Sequence, residues 1–219
     1  MKVLSAPRDG YILDARQTMY PSSMEVLRGA TRSLTCETST VFGYVISGNA
    51  VVTLGDFRAD LPAGGYFSIP GTASLEVPGV AVAIERFGFR GTLQIGVIED
   101  TGRLSYIDGC SDSVLCMPPR AGDPVLNHLH FPLGVKQSLH SHPSVRLGVV
   151  ARGGGVAHGP AGEGWQHALT TGAVFLVDAH EIHAFRTTET AMDVIAFHPD
   201  SDWGPTDRAH PMVNRTLQS

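Results

Sequence analysis

Hydrophobic residues along this chain fall in short β-branched or aromatic runs and in alternation with polar ones, and only rarely at helical spacing. The runs at 50–54, 80–84, 93–98, 125–131, 147–151, 173–177 and 191–197 have strand length, and turn residues bound nearly all of them. With 25 Gly and 14 Pro in 219 residues and no low-complexity repetition, the chain is rich in turns. The pattern predicts an all-β protein of the sandwich or barrel kind, jelly rolls among them.

The pattern also repeats. The stretch Val41-Phe42-Gly43-Tyr44-Val45-Ile46-Ser47-Gly48 matches Arg146-Leu147-Gly148-Val149-Val150-Ala151-Arg152-Gly153 at an offset of about 105 positions, which Gly29 and Gly134 also obey. Further on, Gly64-Gly65-Tyr66-Phe67-Ser68-Ile69 resembles Gly172-Ala173-Val174-Phe175-Leu176-Val177. A period this long indicates a duplicated domain rather than a solenoid. The break falls near 100–123, where Thr101-Gly102 and Pro118-Pro119 mark turns, so two units are expected over 1–105 and 106–219.

Charge and cysteine content narrow the functional classes. A net charge of −5 argues against a nucleic-acid partner held by a basic face. No stretch approaches the roughly 18 apolar residues of a membrane span, and no signal-peptide core follows the N-terminus, so no membrane partner and a cytoplasmic location are expected. Cys36, Cys110 and Cys116 are odd in number and form no CxxC pair, which disfavours a disulfide framework or a cysteine zinc site.

Chemistry concentrates in the second unit. In Gly134-Val135-Lys136-Gln137-Ser138-Leu139-His140-Ser141-His142, an extended backbone would turn both imidazoles to one face. About forty residues later, His183 closes the segment Gly172 to His183 and offers a third imidazole from a neighbouring strand. Neutral imidazole suits Zn, Cu, Fe and Ni. These segments resemble the two motifs of the cupins. Gly134, His140, His142 and Gly153 fit the first motif, and Gly172 and His183 fit the second. Asp178 stands where proline is usual and His180 where glycine is usual. The resemblance implies a bicupin: two tandem double-stranded β-helix (jelly-roll) barrels, with His140, His142 and His183 as the metal ligands of the second. It also implies one divalent transition metal per chain, Fe2+ favoured over Zn2+, Ni2+, Mn2+ or Cu2+, and a homodimer.

Two departures shape the reading. The glutamate ligand of the first motif would fall on Arg146 or Leu147, leaving three imidazoles without an anionic protein ligand, similar to the cysteine dioxygenase branch of the family. The matching positions of the first unit hold Thr35, Glu37, Val41 and Ser74, a set without an imidazole, so that unit is expected to bind no metal. A dication and a guanidinium about 5 Å apart would repel by roughly 6–7 kcal/mol at an effective dielectric of about 20. Either an anionic substrate forked by Arg146 relieves that repulsion, or Arg146 turns out to solvent.

Further candidates for substrate contact are His128 and His130, which alternate along one strand, and His180. The alternatives are a half-exposed strand for the first two and a turn near the barrel mouth for the third. Asp178 and Glu181 either steer a ligand imidazole or are solvated turn carboxylates. The glycine-rich stretch 153–164 lacks a phosphate-loop ending and reads as a hairpin turn and loop. Trp203 and Met212 are expected to pin the tail. The leading expectation is a metal enzyme acting on a small anionic substrate, dioxygenase-like if iron is bound, or an isomerase, lyase or decarboxylase if the metal acts as a Lewis acid. The competing expectations are a small-molecule-binding bicupin without turnover and a structural one.

Overall fold

The computed structural model describes residues 1–34, 37–162 and 164–200. Trp203 and Met212, Thr35 and Cys36 lie outside that range. Among the described residues the chain is almost entirely β. The strands are β1 (Lys2–Leu4), β2 (Ile12–Ala15), β3 (Ser22–Leu34), β4 (Thr40–Ser47), β5 (Asn49–Leu54), β6 (Phe57–Pro62), β7 (Gly65–Pro70), β8 (Ala73–Arg86) and β9 (Gln94–Val97). They continue with β10 (Leu104–Ser105), β11 (Ser111–Cys116), β12 (Val125–Phe131), β13 (Arg146–His158), β14 (Gln166–Thr170), β15 (Val174–Val177), β16 (Ala184–Arg186) and β17 (Met192–His198). A single 3-10 turn, Ile107–Gly109, interrupts the described chain. Among the described residues, no helix is long and apolar enough to cross a membrane.

The strands form two antiparallel sheets, one of eight strands and one of nine. The first runs β2-β3-β8-β4-β7-β9, with β5 and β6 continuing from β8. The second runs β10-β11-β12-β17-β13-β15-β1, with β14 and β16 on the far half of β13. The two share an order: β2-β3-β8-β4-β7 corresponds to β11-β12-β17-β13-β15. The edges are exchanged, because β1 comes from the start of the chain to pair with β15, where β9 from the connector pairs with β7. Lys2–Leu4 therefore adds to the sheet of the second half, although it lies within 1–105 in sequence.

The repeat persists at the level of atoms. Gly43 faces Phe67 across β4 and β7, and Gly148 faces Phe175 across β13 and β15. A Cβ at either glycine would overlap that aromatic ring, so glycine is required for the ring to lie over the strand. The bulges repeat too, at Val45/Ser47 in one half and at Val150/Arg152 in the other. Gly64 N–H donates to the Val45 carbonyl at 2.9 Å and Gly172 N–H to that of Val150 at 2.8 Å.

Each sheet has its own apolar core, around Leu27, Phe67 and Leu75 in the first and around Phe131, Phe175 and Met192 in the second. A third cluster takes Met24, Phe42 and Ile84 from one sheet and Leu147, Ile195 and Phe197 from the other, and so joins them. Alternation explains the division: along β17, Val194 and Ala196 face the second core while Ile195 and Phe197 face the seam.

One segment departs from its sequence reading. The stretch 153–158 is strand, not turn: β13 continues through Gly153 to His158 and pairs with β14 and β16. At Gly154 and Gly155 the backbone approaches the carbonyls of Leu169 and Arg186 closely, a spacing that the missing side chains permit.

Candidate metal centre

His140, His142 and His183 are brought together by two segments that are extended without forming a regular ladder. A two-residue exchange holds them: His140 N–H donates to the His183 carbonyl at 3.0 Å, and His183 N–H to that of His140 at 2.9 Å. His180 N–H donates to the His142 carbonyl at 2.7 Å, and Gln137 N–H to that of Phe185 at 2.9 Å. One potential ligand nitrogen from each of the three imidazoles lies within 4.8 Å of the others. Ring centroids are 5.1 Å apart for His140 and His142, 4.6 Å for His140 and His183, and 5.3 Å for His142 and His183.

The tautomers follow from the acceptors. His140 Nδ1 lies 2.8 Å from the Ser138 carbonyl oxygen, and His183 Nδ1 lies 2.9 Å from that of Glu181. A carbonyl only accepts, so each Nδ1 carries the proton and each neutral ring keeps its lone pair on Nε2. Burial first, and then the neighbouring His140, His142 and Arg146, push the pKa of His183 down to about 2, which keeps the ring neutral. Two neutral lone pairs fixed by backbone carbonyls, with a third imidazole beside them, fit a divalent transition metal. Glu181 steers His183 through its backbone carbonyl, while its carboxylate accepts from Asp178 N–H at 3.0 Å.

The imidazoles open onto a cavity of about 30 Å³ lined by Tyr106, Gln137, Arg146, His198 and an apolar wall that includes Phe131 and Phe175. At roughly 10–15 Å³ for each water-sized group, it admits about two. Arg146 does not turn to solvent. It is 3% exposed and lines the cavity. Its Nη1 donates to Ser144 Oγ at 2.5 Å and to the carbonyls of Ser144 and Val145 at 3.1 Å each. Asp200 Oδ1 lies 3.7 Å from the same nitrogen.

His128 and His130 stand apart from the cavity. They occupy the opposite face of β12 from Leu129 and Phe131, both of which line it. Each donates a ring N–H to Asp193 Oδ1 at 2.8 Å, and Arg152 Nε donates to Asp193 Oδ2 at 2.8 Å. Burial alone would raise the Asp193 carboxyl, but hydrogen bonds from His128 and His130 and the Arg152 charge hold it below the ordinary range. Arg152 also reaches the Glu99 carbonyl at 2.6 Å, so this network anchors the connector between the halves. The period-2 alternation of the two histidines was legible; which face it addressed was not. His180 is an exposed turn residue with φ of +62° and does not line the cavity.

His198 and Asp200 have no role in the sequence reading. His198 is buried, lines the cavity and lies with its ring centroid 6.2 Å from that of His142. Its signal was present: continuing the alternation of Val194 and Ala196 by one step along β17 puts His198 on the cavity face. Asp200 follows the strand end, where no periodicity carries it to Arg146.

In the first half, Val41 is packed into the core and Glu37 is exposed in a turn. Cys110 and Cys116 are buried free thiols, and burial pushes Cys110 up to about 11, away from thiolate chemistry.

Neither a family model nor a curated protein matches the sequence. The fold is that of cupin-barrel proteins. A cupin 2 conserved barrel domain protein from Leptotrichia buccalis superposes with a TM-score of 0.62 at 14% identity, over 90% of this chain and 95% of its own. Oxalate decarboxylase from Bacillus subtilis, studied for its Mn(II) centres, gives 0.59 at 14% identity over 91% and 75%. A salicylate 1,2-dioxygenase from Pseudaminobacter salicylatoxidans gives 0.62 at 11% identity over 82% and 70%. At these identities the likeness is one of fold.

Proposed function

We propose that the protein is a bicupin enzyme whose second half holds one divalent transition metal through His140, His142 and His183 and acts on a small organic anion. The repeated strand order, glycines and bulges support the reading of two tandem barrels. The observation that carries the functional reading is the convergence of three imidazoles beside a buried guanidinium in a mostly apolar cavity. Bound there, a divalent ion supplies Lewis acidity, and iron adds the capacity for O₂ chemistry. Arg146 binds and orients the anionic end of the substrate, because its planar fork matches a carboxylate. Ser144 and the carbonyls around it fix the guanidinium before substrate arrives. Phe131, Phe175, Phe185 and Val194 exclude water from the reacting groups. The small cavity volume favours a substrate of few heavy atoms. Two fold neighbours are named for oxalate and salicylate, both carboxylates, which agrees with an anionic substrate.

The test is metal content of protein purified without an affinity tag, beside a His140→Ala/His183→Ala variant. Near-stoichiometric metal in the wild type, lost in the variant, is the expected result. Iron then directs the assay to O₂ uptake with small carboxylates, and zinc or manganese to redox-neutral cleavage or isomerisation. Metal-free protein that also takes none up on reconstitution would overturn the proposal.

A further inference from the structure

The segment that leads into His140 turns one polar side chain inward. Gln137 is buried two residues after Val135, a member of the second core, while Lys136 and Ser138 on either side of it are exposed. It is 6% exposed, lines the cavity beside His140 and His183, and is not one of the residues that fit either motif. Backbone and side chain both grip Phe185: Gln137 N–H donates to the Phe185 carbonyl at 2.9 Å, and Phe185 N–H donates to Gln137 Oε1 at 3.3 Å. With the amide oxygen engaged, the polar group that remains is Nε2, which only donates. Among the described residues, Nε2 has no hydrogen-bond acceptor. Nor is it sealed in the packing, as Asp112 Oδ1, Asn127 Oδ1 and His128 Nδ1 are.

We propose that Gln137 is a specificity-determining residue whose Nε2 donates to a second acceptor oxygen of the substrate, so that the site selects small carboxylates bearing an oxygen on the neighbouring carbon, as 2-hydroxy and 2-oxo acids do. The inference rests on the anionic-substrate reading above, in which Arg146 takes the carboxylate. The cavity of about 30 Å³ has space for about two water-sized groups. A bound substrate therefore displaces the water that would otherwise satisfy Nε2, and must accept from it in turn. An acid with a methyl group at that place leaves a buried donor unpaired, which is how a site built to bond an oxygen rejects an analogue that lacks it. The bond from Phe185 N–H sets which end of the amide is free, so the donor is oriented before substrate arrives.

The probes are glycolate and propionate, which match in heavy-atom count and differ in a hydroxyl against a methyl, titrated calorimetrically into zinc-reconstituted protein. Wild type is expected to bind glycolate at least about tenfold more tightly than propionate, a difference of about 1.4 kcal/mol. In Gln137→Met that ratio is expected to fall at least about fivefold, through weaker glycolate binding, with propionate bound at least as tightly as by wild type. Gln137→Glu keeps an oxygen for Phe185 N–H and loses the donor; its charge opposes both acids alike, so the ratio is expected to fall there too. Thermal melts establish that each variant is folded. A ratio unchanged in a folded variant overturns the proposal, as does a wild type that binds both acids alike. If both variants unfold, Gln137 is a structural residue and the proposal fails. Arg146→Gln separates the two levels of the argument. If it binds both acids as wild type does, or if wild type binds neither, the anionic-substrate reading fails. If it loses both acids while the Gln137 variants keep the wild-type ratio, only the role of Gln137 fails.

Discussion

His180 shows what one side chain costs when the backbone is dictated from outside. It sits between β15 and β16 with φ of +62°, donates its N–H to the His142 carbonyl, and exposes its ring. A left-handed conformation costs a non-glycine residue roughly 1–2 kcal/mol, and the cupin motif places glycine here. The bond to His142 needs the backbone, not the ring. His180→Gly is therefore expected to stabilise the protein by about 1 kcal/mol, less the greater chain entropy of glycine when unfolded, and to raise the melting temperature by about 1–4 °C. A fall in melting temperature would mean that the imidazole makes a stabilising contact. The departure from the motif was visible in the sequence; its cost depends on φ, which the pairing of the two histidine segments imposes.

Among the elements, β11 and β12 carry a conflict that pH can expose. Asp112 and Asn127 lie on the inner face of the second sheet, both nearly inaccessible, and Asn127 Nδ2 donates to Asp112 Oδ2 at 2.7 Å. The other oxygen of each, Oδ1, is buried without a hydrogen-bond donor. Burial pushes the Asp112 carboxyl up to about 6, against the hydrogen bond from Asn127 and the charge of His128. The folded-state value exceeds the unfolded one of about 3.9. The fold thus prefers the protonated acid, whose contribution is complete below about pH 4 and lost as pH rises through about 6. At pH 8 the ionised group costs about 3 kcal/mol. Asp112→Asn removes that charge while keeping an acceptor for Asn127 Nδ2. It should raise the melting temperature at pH 8 and change it little at pH 4, measured by thermal unfolding at both. An equal shift at the two values would show that charge is not the cause. The same strand illustrates the limit of periodicity: alternation in 125–131 separates Asn127 and Leu129 from His128 and His130, but only pairing with β17 assigns the histidines to Asp193 and the others to the interior.

Across the whole molecule, the seam between the sheets decides cooperativity. Phe42 of the first sheet and Phe197 of the second lie with ring centroids 5.1 Å apart within one continuous buried cluster. The exchange of β1, and the bonds from Arg152 to Glu99 and Asp100, add backbone and polar ties across the halves. Phe42→Ala should cost about 3–5 kcal/mol, because the seam can close only partly over the space left. Calorimetry should show one transition, shifted down as a whole. Two resolved transitions in the wild type would mean that each sheet with its own core melts separately.

Much of this protein follows from local pattern. Strand positions, the repeated glycines, the three converging histidines and the anomalous Arg146 are properties of residue type and spacing, which a strand's two-residue period and a turn's need for glycine translate directly into geometry. Orientation and long-range partnership do not follow that way. The inner face of β12, the burial of Arg146, its pairing with Asp200 across 54 positions, and the exchange of β1 onto the second sheet depend on which strands become neighbours. That choice is made by the packing of two cores and a shared seam, whose apolar contacts are non-directional and leave little trace in any single stretch of sequence.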